Sequence, residues 1–190
     1  MDVKDAIKKR RAYRAFEPVE ITDDIIEQLA TAAQLTASCF NNQPWRYVFV
    51  RDKGMLEKMH AALSKGNEWA KKSSTIIAVF GKKENDCLIK EREYYLFDIG
   101  MATSALMLQA VELGLVAHPI AGYSPEKVKE VLGIPEEIMV ITLVIVGKKS
   151  DDLSGLAGHQ LESEKARPER RDLDKIFSLD KYENKLGEEH

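Results

Sequence analysis

Apolar positions recur along this chain at two different spacings, and the spacings mark its elements. A short helical stripe comes first, over residues 3–9, with Val3, Ala6 and Ile7 on one face. It runs into the basic cluster Lys8, Lys9, Arg10 and Arg11, with Arg14 close behind. Cations suit the negative end of a helix dipole. Thr22 reads as an N-cap with Asp23 and Asp24 in the first turn, ahead of a stripe of Ile25, Ile26, Leu29, Ala33 and Leu35. Residues 45–50 read as a strand. Asp52 is placed to cap a helix through Leu56, Met59 and Leu63 that stops by Gly66. The β-branched run 75–80 predicts a buried strand. The longest helix is predicted over 91–113, with Gly114 just past its end. A strand over 115–121 follows. Ser124, Pro125 and Glu126 then supply cap, first-turn proline and acid for a helix ending near Leu132 and Gly133. The apolar run 139–146 predicts the central strand. Strands interspersed with helices leave two classes open, α/β and α+β.

From Lys148 onward the pattern thins to a few apolar anchors, among them Leu153, Leu156, Leu161, Leu173, Ile176 and Phe177. Such a segment reads either as an arm that docks on a partner or as a frayed terminus. A length of 190 residues fits one substantial core, so residues 1–190 are expected to form one domain. The formal net charge of −3 argues against a nucleic-acid partner, which would need a cationic face. The weakly polar runs 99–111 and 138–147 are too short to span a bilayer, which takes about 20 apolar residues. With no signal-like start, the expected location is cytoplasmic. Cys39 and Cys87 form no CxxC, and His60, His118, His159 and His190 are scattered singly, so no metal is expected. Cys39 reads as a small packed residue, with no nearby histidine to activate it.

Neither a GxGxxG turn after a strand nor a phosphate-binding P-loop occurs, and there is no GxSxG elbow. Two other segments could carry chemistry. In Arg10-Arg11-Ala12-Tyr13-Arg14, three guanidinium groups fall within five residues. Planar, permanently charged forks suit a phosphate dianion. The plainer reading of the same run is a solvated basic face at a helix end. In Ser38-Cys39-Phe40-Asn41-Asn42-Gln43-Pro44-Trp45, small and amide side chains offer donors and acceptors to a heteroaromatic ring or polyol. The plainer reading is a turn, for which these residues are also suited.

Taken together, these segments resemble the nitroreductase family, whose members carry an RRSxR-type motif followed some thirty residues later by a PSxxNxQPW-type motif. Gln43-Pro44-Trp45 stands intact, and four further stretches are similar in order: 66–70, 98–115, 119–122 and 170–173. The resemblance implies an α+β fold with a mostly antiparallel central sheet flanked by helices, built as an interwoven homodimer in which residues 150–190 form an arm docking on the partner subunit. It implies FMN at the subunit interface. Arg10, Arg11, Ala12 and Arg14 would line the phosphate end. Arg170 would help, in competition with Lys165, Arg167 and Arg171. Ala37, Ser38, Cys39 and Asn41 would reach the flavin from the other subunit. Asn67 would meet the isoalloxazine edge, and Pro119, Ile120, Ala121 and Gly122 would lie over one ring face. NADH or NADPH would donate electrons, and a nitroaromatic, quinone or related small molecule would accept them in a ping-pong cycle. The alternatives are a non-catalytic FMN carrier or sensor, and a specialised relative such as a reductive dehalogenase. Ala12 stands where the family usually has serine, Ala37 where it has proline, and Ala121 where many members carry glutamate.

Overall fold

A computed structural model describes residues 1–182. The six helices are α1 (Val3–Lys9), α2 (Asp23–Gln34), α3 (Lys53–His60), α4 (Tyr94–Glu112), α5 (Pro125–Leu132) and α6 (His159–Lys165). The seven strands are β1 (Phe16–Glu17), β2 (Arg46–Val50), β3 (Thr75–Gly81), β4 (Leu88–Ile89), β5 (Arg92–Glu93), β6 (Val116–Ile120) and β7 (Met139–Lys149). Thr22, Asp52 and Ser124 each accept a backbone N–H of the first turn they cap, as their sequence positions predict. Gly133 closes α5 in the left-handed region at φ 65°.

Every pairing in the main sheet is antiparallel, and β7 is its hub. It pairs with β3 over Met139–Val146 and with β6 over Leu143–Gly147, and its far end reaches β1. The order β1-β7-β3-β2 completes the sheet, with β6 also on β7. The class is therefore α+β. Two apolar layers sandwich this sheet. One gathers Met59, Ala70, Ile76, Val128 and Ile145, and the other gathers Leu29, Ala33, Ile77, Ile99, Leu106 and Val144. Alternating β3 side chains therefore serve opposite layers, as a strand buried on both faces must.

Two boundaries differ from the sequence pattern. Helix α4 begins at Tyr94 rather than at 91, because β4 and β5 pair as a hairpin turning at Lys90, which adopts φ 59°. Strand β7 runs on past 146, because Lys148 and Lys149 pair with Glu17 and Phe16. Within the expected arm, residues 153–164 pack on their own subunit. Leu156 is buried, Leu153 and Leu161 lie against the core, and the Glu164 carboxylate is enclosed. The last part of that arm, including His190, lies outside the described residues. No described helix is long and apolar enough to cross a membrane.

Candidate active site

Helix α1 ends at Arg10, and the chain then runs extended against α6. Glu164, only 4% exposed, accepts the backbone N–H groups of Arg14 at 2.8 Å and Ala15 at 3.2 Å. Arg11 donates to the Ser163 and Glu164 carbonyls at the C-terminal turn of α6, at 2.7 and 3.1 Å. There its charge also complements the negative end of the helix dipole. Arg167 reaches back to the carbonyls of Lys8 and Arg10, both at 2.7 Å. These bonds gather Arg10, Arg11, Ala12, Arg14, Arg167 and Arg170 around a pocket of about 120 Å³. Five guanidinium groups line it, and no carboxylate does. Burial, with Arg167 and Arg170 close by, pulls the Arg10 guanidinium below its ordinary pKa. Of the four cations that competed in the sequence, Arg167 and Arg170 line the pocket, and Lys165 and Arg171 do not.

A second group adjoins it. The 3-10 turns of Lys65–Lys72 break at Asn67, whose φ is −116°. The Asn67 side-chain amide donates to the Gly122 carbonyl at 2.9 Å, and the Ser64 N–H donates to the same oxygen at 3.0 Å. A Cβ on Gly122 would lie 2.5 Å from Asn67 Nδ2, so this approach requires glycine. Two links tie this corner to the arginine segment. Arg14 lies over the Trp69 ring, 5.9 Å from its centroid, and Trp69 packs on His118. His118 Nδ1 bonds the Tyr13 carbonyl at 2.9 Å. A carbonyl can only accept, so Nδ1 carries the proton. Burial first, then Arg14 and Arg10, lower the His118 pKa to about 4 against the opposing effect of that bond, leaving a neutral ring near pH 7. Next to it Pro119 and Ala121 are exposed, while the Ile120 side chain lies in the core, so only main-chain atoms of Ile120 are available to a ligand. A proline inside β6 is tolerated at its exposed position.

The third group is the turn after α2. Ala37 is exposed, and Ser38 Oγ accepts the Gln43 N–H at 2.9 Å. Phe40, Asn41 and Gln43 all have positive φ, at 48°, 58° and 49°. The Cys39 N–H donates to Asp98 Oδ2 at 2.7 Å. Asp98 is buried on α4, and burial raises its carboxyl pKa, with Asp86 adding to the rise and the Cys39 bond opposing it. The expectation of a free, packed Cys39 is overturned, because Cys39 is joined to Cys87 by a disulfide across 48 residues. Asp86 comes close enough to share a cation with these sulfurs, but their bond to each other leaves neither as a thiolate. No hydrogen bond among the described residues joins this turn to the arginine pocket, so one subunit presents two separate clusters. Asp98 and Cys87 escaped the sequence reading. A lone acid in the apolar run of α4 was the available signal for Asp98.

A larger depression of about 1090 Å³ opens between residues 18–23 and α3, and it provides a control. Three of its four lining cations have acids at hand: Arg51 meets Asp23 at 2.5 Å, Lys71 meets Glu68 at 3.8 Å, and Lys72 meets Asp152 at 3.7 Å. Neither Arg10 nor Arg14 has such a partner among the described residues.

The Nitroreductase family model matches residues 7–75 and 64–148. An Archaeoglobus fulgidus protein, named provisionally as an NADH dehydrogenase/NAD(P)H nitroreductase, is 32% identical over 150 residues, covering 77% of this chain and 84% of its own. A Thermus thermophilus NADH dehydrogenase is 25% identical over 198 residues, covering 87% and 94%. A crystal structure described as an oxidoreductase containing FMN superposes with a TM-score of 0.84 at 27% identity, covering 96% of this chain and 94% of that one.

Proposed function

This chain belongs to the nitroreductase family, and from that premise we propose that it is an FMN-dependent NAD(P)H oxidoreductase acting as a homodimer. The observation that carries the reading is the arginine pocket. Five cationic forks with no lining acid call for a dianion, and a phosphate monoester supplies both the charge and the acceptor geometry. Burial first, and then the like charges of Arg167 and Arg170, lower the Arg10 pKa, and a bound anion would relieve the second of these effects. FMN, when bound, supplies hydride acceptance from the nicotinamide and onward delivery of electrons to the acceptor.

The chain's own residues bind and orient. Arg10, Arg11, Arg14, Arg167 and Arg170 hold the phosphate, with Ala12 offering main-chain atoms only. Asn67 and Gly122 form a rigid polar corner for the ring system, held by their mutual hydrogen bond. His118 stays neutral and keeps the main chain of Tyr13 in place. Pro119, Ala121 and the backbone of Ile120 border the same corner. Ala37, Ser38, Cys39 and Asn41 serve the partner subunit's site, which accounts for their separation from the arginines on one chain. The partner would also cover apolar side chains left in water: Val3 is 73% exposed, Phe40 86%, Phe97 61% and Leu173 70%. The described residues of the arm past 170 are assigned to that embrace. The acceptor is a nitroaromatic or quinone, reached in a ping-pong cycle after the oxidised nicotinamide departs.

Visible spectra of the purified protein, recorded anaerobically before and after NADH or NADPH, test the reading. A bound flavin that bleaches supports it. A flavin that stays yellow refutes the reductase activity, and failure to bind offered FMN refutes the site.

A further inference from the structure

The turn of residues 38–43 is held in a costly shape. Phe40, Asn41 and Gln43 sit in the left-handed region, and Phe40 and Gln43 have no special tolerance for it. Beyond the turn's backbone bonds from Asn41 to Ser38 and from Asn42 to Cys39, and the Arg46 bond to the Gln43 carbonyl, four ties oppose relaxation. Two are hydrogen bonds already described, from the Cys39 N–H to Asp98 and from the Gln43 N–H to Ser38. The third is the Asn42 amide, which donates to Asp86 Oδ1 at 3.2 Å and approaches Cys87 Sγ at 3.5 Å. The fourth is covalent, the Cys39–Cys87 bond.

On the far side of that bond lies a segment with little stability of its own. The β4–β5 hairpin has two residues per strand, and every residue from Leu88 to Glu93 is exposed. A ribbon of that size is marginal unaided. The carboxyls of Asp86 and Asp98 approach within hydrogen-bond reach beside the sulfurs, a contact their like charges weaken unless one of them carries a proton. The disulfide is thus the strongest link between the turn and the hairpin. Both cysteines are half-buried beside exposed neighbours, within reach of a small thiol.

We propose that Cys39 and Cys87 form a reversible thiol–disulfide clamp, and that its reduction loosens the 38–43 turn and the 83–93 segment together. Because that turn serves the cofactor in the function proposed above, reduction also weakens FMN binding; this second consequence rests on that reading. The chemistry balances by exchange. A small disulfide oxidises the two thiols, forming the Cys39–Cys87 bond and releasing two equivalents of its thiol. A small dithiol reverses this and leaves as its own cyclic disulfide.

The test is hydrogen exchange on the full chain freed of flavin, oxidised with a small disulfide or reduced with dithiothreitol, alongside Cys87→Ser. Alkylation with mass analysis scores the bond. We expect no alkylation after oxidation and two alkylated thiols after reduction. Exchange in 38–43 and 83–93 should rise about tenfold or more on reduction, as local protection is lost. Cys87→Ser should show the fast exchange with or without dithiothreitol. The FMN Kd should rise about fivefold or more in the reduced wild type and not respond to dithiothreitol in Cys87→Ser, a change of about 1 kcal/mol. Two free thiols after oxidation would overturn the clamp, as would equal exchange in both states. If FMN fails to bind in either state, the function proposed above falls, while the exchange comparison still decides the clamp.

Discussion

His118 bonds the Tyr13 carbonyl at 2.9 Å while its ring lies against Trp69, so one neutral imidazole fixes the main chain between the arginines and β1. Its pKa of about 4 lies below the ordinary 6.5, so the unfolded chain binds a proton more readily. The stabilising effect is complete above about pH 6.5 and is lost as the pH falls towards 4. The whole effect is on the order of 3 kcal/mol. Urea midpoints from pH 7 to 4 should fall more steeply in the wild type than in His118→Gln, and parallel slopes would show that His118 does not titrate this way.

Arg10 has no ion-pair partner among the described residues and lies beside the like charges of Arg167 and Arg170. Arg10→Ala should therefore weaken FMN binding by about 10- to 100-fold, one charge-assisted contact. The flavin-free protein should keep or raise its melting temperature. Titration calorimetry and thermal melts separate these effects, and a large loss of apo stability would mean Arg10 is structural.

Gly122→Ala brings a Cβ onto Asn67 Nδ2 without demanding an unusual φ. The short amide must swing away and release the Gly122 carbonyl. A loss of about 1 kcal/mol in stability should accompany it, with weaker FMN binding. Asn67→Ala should reproduce both changes, and the double variant should cost no more than either single one. Additive losses in that cycle would show the two residues act separately.

Asp98 supplies an acceptor in a buried place where its charge is disfavoured. Asp98→Asn keeps an acceptor for the Cys39 N–H and removes the carboxyl–carboxyl opposition, so denaturant unfolding at pH 7 should show equal or greater stability. Asp98→Ala strands the N–H and should cost about 1–3 kcal/mol. Equal stabilities for the two variants would discount that hydrogen bond.

Gly81 has no room for a side chain. Its Cβ would fall 2.4 Å from Ile99 Cδ1 and 3.0 Å from the Pro44 carbonyl oxygen. Gly81→Ala should cost about 1–3 kcal/mol through overpacking, and Ile99→Val in the same chain should recover part of it. A neutral Gly81→Ala in chemical denaturation would mean that the junction of β3 with α4 gives more than a packed core should.

Local signals made the helices legible. Thr22, Asp52 and Ser124 announce starts, and Gly114 and Gly133 announce stops, because caps act within one turn. The five-residue arginine run was legible for the same reason. Arg167 and Arg170 could not be told apart from their neighbours, since only the path of α6 across the N-terminal segment decides which side chains reach the pocket. The start of α4 was misplaced because Lys90 turns a hairpin that no glycine or asparagine advertises. Cys39 and Cys87 were unreadable as a pair because a separation of 48 residues carries no code, and only the fold brings them together.

The hub strand has a consequence for how the chain is made. During synthesis β2 and β3 can pair as soon as both have emerged, but among the described residues β1 and β6 pair only with β7, the last of the described strands to emerge. Until residue 149 leaves the ribosome, a large share of the interior has nothing to close against. The nascent chain must stay soluble with β3 presenting a bare edge, apolar except for Thr75, a position in which a chaperone or a neighbouring nascent copy would compete for the place that β7 finally takes.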